Sequence, residues 1–439
     1  MPNLLHKILN PDKVLGLQLF QLFRYGAIIL INILLAKSYL DMSDIGIYET
    51  LIFLGTGITF FWVSGLLKGM LAVYPGLDAV QRQRFFFNVF LLFAGMSFLM
   101  ASFYYLCQPL IIRLLTDYTA LPYFNLLCVY ILLNTSTYLV EYIYLLTDQP
   151  KKIVWFGLIA FGTQLLAVTV PIFLGYSLEM SFYCLIGMAL LKLLWLFYVL
   201  TKYSIMKVDV DLLKPYLLIS LPLVVNILVV GGAEYVDGIL IHRYFDEEAF
   251  AVFRYGAREL PLSLALAGAF SSALIPTIAD NLKDGLHLIK VKSRHLIHIL
   301  YGVSIVLMLL SPVLFPVVFR PEFSESALIF NIYLLLLISR VLFPQTVLIG
   351  KQETRMILWI SIAELLLNIG LSILLIQYFG LAGVAFATVV ACLFDKVALA
   401  IYLQSKFSIA IHEYLDVKLY GVYSVLLIVS FLVSLSLIY

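Results

Sequence analysis

Lys37-Ser38-Tyr39-Leu40-Asp41 leads into Ile45-Gly46-Ile47-Tyr48, and some 205 residues later Arg243-Tyr244-Phe245-Asp246 leads into Phe250-Ala251-Val252-Phe253. Spacings of 204 to 206 residues also relate Phe124-Asn125 to Phe330-Asn331, Trp155 to Trp359 and Lys192 to Lys396. Outward from these anchors, apolar stretches of bilayer-crossing length fall at roughly 16–36, 47–67, 85–106, 121–147, 153–175 and 178–200 in the first copy. The second copy has them at roughly 215–240, 250–277, 295–319, 325–349, 356–378 and 381–404, and a thirteenth follows at 418–438. An even number of spans per copy keeps both copies in one orientation, so they are expected to be related by a pseudo-two-fold axis along the membrane normal, with a cavity between them. The expected fold is all-α and integral to a membrane: two six-helix bundles, an N-lobe and a C-lobe, plus one extra C-terminal helix. The expected boundaries are 1–204, 205–416 and 417–439.

Composition agrees with this reading. A chain of 439 residues with 63% hydrophobic and 12% charged residues and a mean hydropathy of +1.03 has too little polar surface for a water-soluble globule. No span shows the alternating ten-residue pattern of an outer-membrane barrel. With the N-terminus inside, the inner loops hold eighteen Lys and Arg, and the outer loops hold only Lys37, Arg113, Arg243 and Arg320. That bias sets the orientation and places the C-terminus outside. No small-residue cleavage site follows the first span, so a removable signal peptide is not expected. A net charge of +2 argues against a nucleic-acid partner. Cys107, Cys128, Cys184 and Cys392 lie in or at the ends of spans without CxxC spacing, which indicates neither a disulfide nor a metal site.

The polar stretch Thr201 to Lys214, closed by Pro215 at a helix start, is the natural boundary between the copies. Its counterpart, Ala279 to Arg294, interleaves Leu282, Leu286, Leu288, Ile289 and Val291 with charges, and reads either as a surface-lying amphipathic helix or as a solvated connector. Outer loops are short, so chemistry is expected within the membrane.

The loop Lys37 to Tyr48, the run Val252-Phe253-Arg254-Tyr255-Gly256-Ala257-Arg258 on to Pro276, Ile349-Gly350, Asn368, and Phe379-Gly380-Leu381-Ala382-Gly383-Val384-Ala385-Phe386-Ala387-Thr388 together resemble the polysaccharide-transporter branch of the MOP (multidrug/oligosaccharidyl-lipid/polysaccharide) superfamily. The resemblance covers spans one to twelve. It implies a Wzx-like flippase that moves an undecaprenyl-diphosphate-linked oligosaccharide, such as an O-antigen, capsule or exopolysaccharide repeat unit, from the inner to the outer leaflet of a bacterial cytoplasmic membrane by rocking two lobes. Expected partners are that lipid-linked oligosaccharide, the bilayer and other polysaccharide-assembly proteins, with the chain itself a monomer. The thirteenth span departs from the family's usual twelve or fourteen.

A charge at the bilayer centre costs about 2.5–3.5 kcal/mol on insertion scales, so each one that persists is a candidate. These are Arg24, Glu141, Lys192, Glu234, Asp237, Arg254, Arg258, Glu259, Arg340, Glu364, Asp395 and Lys396. Arg254 and Arg258, four residues apart, are expected to share one helix face and, with Arg24 from the other lobe, to clamp a diphosphate through bidentate guanidinium contacts. The competing reading pairs them with Glu234 and Asp237 in a neutral hairpin of helices seven and eight. Glu234, Asp237 and Glu364 are candidates for coupling to Na⁺ or a proton, with Asn368 offering a second oxygen on the face of Glu364. Asp395, Lys396 and Lys192 read as structural pairing or snorkelling near the cytoplasmic end. Pro222 and Pro261 suit either static kinks or a bending helix.

No cofactor is implied. A multidrug or organic-cation antiporter of the same superfamily shares the topology and is the rival reading. A membrane polymerase or ligase is disfavoured by the short outer loops and the lack of a nucleophile-base arrangement. A channel is disfavoured by the two-lobe repeat.

Overall fold

The computed structural model describes residues 13–116, 120–258, 280–351 and 353–438, together with isolated positions 267, 270, 271, 274, 275, 277 and 278. The described residues form α-helices joined by short turns and 3-10 segments, with no strand among them. The chain divides into two compact units, Met1–Gly231 and Gly232–Tyr439.

The first unit contains α1 (Lys13–Ala36), α2 (Met42–Gly57), α3 (Phe60–Val73), α4 (Ala79–Leu106), α5 (Gln108–Leu115), α6 (Phe124–Asn134), α7 (Leu139–Leu146), α8 (Pro150–Phe173), α9 (Leu178–Tyr203) and most of α10 (Val210–Tyr244). Its core is aromatic. Trp62 stacks obliquely on Phe93 at 5.4 Å, and Phe85 meets Tyr216 edge-on at 5.2 Å. Small residues let backbones approach where lipid provides no hydrophobic drive between helices. A Cβ on Gly65 would lie 2.6 Å from the Cα of Val224, and one on Gly69 would lie 2.8 Å from the Cβ of Ser220. The Gly65-x-x-x-Gly69 face of α3 is therefore laid directly on α10, and the Tyr216 hydroxyl locks the crossing by donating to the Leu66 carbonyl at 2.9 Å. The inter-repeat connector is fastened as well. Asn88, fully buried on α4, donates to the Lys207 carbonyl at 2.9 Å and accepts from the Asp209 amide at 2.8 Å, while Arg84 pairs with Asp209 at 3.4 Å.

The second unit continues with α11 (Glu247–Gly256), α12 (Leu282–Val318), α13 (Ser324–Leu334), α14 (Leu337–Arg340), α15 (Pro344–Gly350), α16 (Thr354–Phe407), α17 (Ile411–Tyr414) and α18 (Val417–Ile438). Asn331, fully buried, binds three helices together: it accepts from Ser311 at 2.7 Å and donates to the Met308 carbonyl at 3.1 Å and to Ser434 at 3.0 Å. The thirteenth apolar stretch is thus α18, and it is stitched to α12 and α13.

The repeat is visible in local geometry. Asp41 caps α2 by accepting from the Asp44 amide, and its counterpart Asp246 caps α11 by accepting from the Ala249 amide, at 2.7 and 2.9 Å. Both copies also break one span at matching places. In the first, the 3-10 turn Thr135–Tyr138 separates α6 from α7, and the Thr135 and Thr137 hydroxyls satisfy the Ile131 and Asn134 carbonyls. In the second, turns separate α13, α14 and α15 ahead of Pro344.

Among the described residues, ten helices are long and apolar enough to cross a bilayer, and the bent pair Met42–Gly57 and Phe60–Gly76 makes an eleventh. One of these is double. The 54 residues of α16 would extend about 80 Å as a straight helix, more than twice the hydrocarbon thickness. At Gly380, φ is 55° and ψ is −133°, a conformation reserved for glycine. Three residues on, a Cβ at Gly383 would sit 2.9 Å from the Ile376 nitrogen, so the chain doubles back and spans eleven and twelve form a hairpin. The eighth span is described only as far as Arg258; its remainder falls largely outside the described residues.

Both alternatives for the connector are corrected. Residues 282–294 are neither a separate in-plane helix nor a loose loop, because α12 runs unbroken from Leu282 to Val318. Asn281 starts it by accepting from the Lys283 and Asp284 amides, and nothing helix-breaking intervenes before Pro312. Its first turns are held by Lys290 donating to the His412 carbonyl at 2.6 Å and by Arg294 pairing with Asp416 at 2.7 Å.

Candidate functional site

The most concentrated buried polar group in the second unit centres on Asp237. The Thr388 hydroxyl donates to Asp237 Oδ2 at 2.6 Å, and the Tyr333 hydroxyl reaches the same oxygen at 3.5 Å. Asn368 donates to Thr388 Oγ1 at 3.1 Å and accepts from Ser372 at 3.3 Å. Asp237 and Asn368 are each 1% exposed. Asp237 comes from α10 and Tyr333 from α13, while Asn368 and Thr388 stand on the two arms of α16. They are twenty residues apart in sequence and meet because the chain reverses at Gly380. The Asp237 carboxylate and the Thr388 and Tyr333 hydroxyls bring oxygens together without sulfur or imidazole, while Asn368 turns its amide nitrogen to Thr388 and its oxygen to Ser372; oxygen donors of this kind suit a hard cation. A single carboxylate suits one positive charge. No cluster of three or more His, Cys, Asp or Glu able to hold a metal ion occurs among the described residues.

The pairing of Glu364 with Asn368 suggested by their spacing is not what the fold builds. Glu364 hydrogen-bonds Cys392 and lies within Coulombic reach of Asp395, Lys396 and Arg340, whereas Asn368, one turn later, turns to Thr388. Asp395 and Lys396 do not diverge as neighbouring helical positions suggest. The long lysine stem curls back, so that Nζ sits 2.8 Å from Asp395 Oδ2 and 3.2 Å from Gln345 Oε1. Glu234 lies one turn before Asp237 on α10; its side chain is outside the described residues, as is Glu259.

The two arginines do not share a helix face. Helix α11 ends at Gly256, and Arg258 lies beyond it, donating from Nε to the Arg254 carbonyl at 3.2 Å. The sequence explains the stop, since a proline at 261 in a continuing helix would clash with the carbonyl of Ala257. Gly256 also abuts α13, where a Cβ would meet Ile329 Cβ at 2.7 Å. Arg258 therefore caps the carbonyl end of α11, a favourable place for a cation. Arg254, half-buried on the last turn, is within Coulombic reach of His242, whose ring stacks on Phe250 at 3.7 Å.

In the first unit, Arg24 is half-buried on α1, with its guanidinium 5.2 Å from the Tyr25 ring centroid. It lies within Coulombic reach of the buried Glu141 and of Tyr138 at the α6–α7 break. In the sequence Arg24 and Glu141 stand as separate candidates, Thr388 carries no site role and nothing marks Ser372 or Tyr333, although Ser372 one turn after Asn368 is an available signal.

No family model matches the chain, and no curated protein matches it in sequence. Solved structures do. The lipid II flippase MurJ in an inward closed conformation superposes with a TM-score of 0.73 at 16% identity, over 95% of this chain and 98% of that one. A multidrug resistance MATE family transporter of the MOP superfamily, inward-facing, gives 0.69 at 14% identity over 87% and 94%. A MOP superfamily transporter from Pyrococcus furiosus, described as having a binding pocket of reversed polarity, gives 0.52 at 15% identity over 92% and 97%. The fold is therefore that of the MOP superfamily transporters, and the chain is a multi-pass membrane protein.

Proposed function

We propose that this chain, built on the fold shared by MurJ and the MATE transporters, moves an undecaprenyl-diphosphate-linked oligosaccharide from the inner to the outer leaflet of a bacterial cytoplasmic membrane by alternating access. The observation that carries the reading is fixed positive charge within the spans: Arg24 on the first, with Arg254 and Arg258 at the end of α11 in the eighth. Guanidinium stays protonated at any attainable pH and matches phosphate oxygens with paired donors. Arg24 in the first unit and Arg254 in the second are each candidate phosphate ligands on this reading, and Arg258 holds the helix end that presents Arg254. Downhill entry of Na⁺ or a proton at Asp237, Asn368 and Thr388 supplies the drive. The loop-charge bias puts the N-terminus in the cytoplasm and the C-terminus outside, and the chain works as a monomer beside other polysaccharide-assembly proteins.

A second reading, an organic-cation antiporter, is favoured by the likeness to MATE transporters and by the buried carboxylate of Asp237. Mass spectrometry of lipid-linked sugars separates the two. Cells lacking the protein should accumulate an undecaprenyl-diphosphate oligosaccharide, and Arg254→Gln should not relieve the accumulation. An unchanged lipid pool together with raised sensitivity to cationic drugs would favour the antiporter.

A further inference from the structure

A cavity of about 340 Å³ opens in the first unit, lined by Gln108, Leu121, Tyr123, Asn125, Glu179 and Tyr183 among others. Its volume lies at the small end of the roughly 300–1,000 Å³ range of ligand sites. Three separate stretches build it. Gln108 opens α5 just past the end of α4, Tyr123 and Asn125 flank the start of α6, and Glu179 and Tyr183 stand one turn apart on α9. The Tyr183 hydroxyl donates to Glu179 Oε1 at 3.1 Å, which fixes the carboxylate at the rim while the ring stays half exposed. Tyr123 adopts φ 62°, an uncommon conformation for a bulky residue, and its ring stacks on Phe182 at 6.0 Å.

The repeat shows that this opening is particular to the first copy. Asn331, the counterpart of Asn125, is fully buried and hydrogen-bonded to Ser434 of α18. Asn125 is exposed and faces the cavity. The thirteenth span has no equivalent in the first copy, so the surface that α18 covers in one copy is left open in the other.

The chemistry of the lining selects a ligand class. It offers one carboxylate, two carboxamides, two phenols and an apolar floor of Leu121, Phe124 and Leu126, with no lysine or arginine. Asp44 adds a second negative charge within Coulombic reach of Tyr123. A phosphate is repelled by such a site. A neutral sugar ring suits it, because carboxylate and amide groups hydrogen-bond neighbouring hydroxyls and an exposed tyrosine face packs on ring C–H groups.

Resting on the flippase reading, we propose that this cavity is a carbohydrate subsite, taking a neutral hexose or N-acetylhexosamine ring of the lipid-linked glycan at the outer end of the first unit. It holds the glycan while the diphosphate is bound elsewhere. The test is saturation-transfer NMR on the full-length protein in nanodiscs, with glucose, galactose and N-acetylglucosamine as probes and tetraphenylphosphonium as the cationic comparator. Ring C–H protons of at least one sugar should saturate. Glu179→Gln and Tyr183→Ala should each weaken binding by about tenfold, the effect of losing one charge-assisted hydrogen bond or one stacked ring. Asn125→Trp, which fills the cavity from an exposed position, should abolish the signal in a protein of unchanged unfolding midpoint. Absence of saturation for every sugar, equal signals in all variants, or variant-sensitive saturation of tetraphenylphosphonium alone would overturn the proposal. Sugar binding without lipid translocation keeps the subsite and removes the flippase reading. Translocation without sugar binding keeps the flippase reading and removes the subsite.

Discussion

Replacing Thr388 with valine keeps side-chain shape and removes the hydroxyl that donates to Asp237 at 2.6 Å. A hydrogen bond to a charged group contributes about 1.5–3 kcal/mol, and in this buried setting the carboxylate loses that short contact. The same change removes an oxygen from the proposed cation site. The folded wild type should gain about 2.7 kcal/mol when sodium reaches 100 times its dissociation constant. In Thr388→Val, affinity should fall at least about tenfold, which takes about 1.4 kcal/mol from that gain at the same concentration. The assay is thermal unfolding of detergent-solubilised protein in matched sodium, potassium and choline salts. Thr388→Val should unfold several degrees earlier than wild type in choline, and the gap should widen in sodium. Thr163→Val supplies the control, since its hydroxyl donates only to the Ile159 and Ala160 carbonyls of its own helix. Equal midpoints for Thr388→Val and wild type, with equal sodium response, would refute both the energetic weight and the cation role given to this group.

Other consequences are checked by the same unfolding assay or by proteolysis. Gly65→Ala places a methyl 2.6 Å from the Val224 Cα, backbone that cannot yield like a side-chain end, and should cost about 1–3 kcal/mol; Gly95→Ala, with nothing within 4 Å, should be neutral or slightly stabilising. Asn88→Ala removes both ties to the connector, so cleavage near Lys207 should become faster than in wild type while α4 itself stays protected. Asp416 is held below its ordinary value of 3.8, first by the Leu419 amide and then by Arg294, and Glu353 is held below 4.5, chiefly by Lys406. Depressed folded values mean these contacts contribute stability above the ordinary carboxylate range and lose it as pH falls through the lower folded values. Ties between α12 and the α17–α18 connector should therefore persist at pH 5 and loosen only below about pH 4, as read by proteolysis at His412 to Asp416.

The architecture was legible because its determinants are periodic or local. Asp41 and Asp246 are caps in corresponding places, and the Gly380 to Gly383 stretch marks a chain reversal that only glycine accommodates. Length alone separated spans eleven and twelve, although one continuous helical segment contains both. The candidate site was legible in part. Asp237 and Asn368 stood out as polar residues in apolar spans, but their common partner Thr388 did not, because a threonine in a helix usually satisfies its own carbonyl. The shared face assigned to Arg254 and Arg258 failed because i to i+4 spacing has meaning only while the helix continues, and α11 ends at Gly256. Asp395 and Lys396 show the converse limit, since a four-carbon stem reaches around the helix to an adjacent carboxylate. Divergence between Asn125 and Asn331 was hidden because identical residues in aligned repeats give no sign that one is covered by an additional helix.

The central claim is translocation of a lipid-linked glycan, and proteoliposomes test it most directly. Undecaprenyl-diphosphate oligosaccharide from the host would be loaded on one leaflet and its appearance on the other followed by accessibility to a glycosidase or periodate. The account predicts transfer well above protein-free vesicles, lost in Arg254→Gln and accelerated by a sodium or proton gradient. Transfer no faster than in empty vesicles, with gradient-driven movement of a cationic dye in the same preparation, would contradict it.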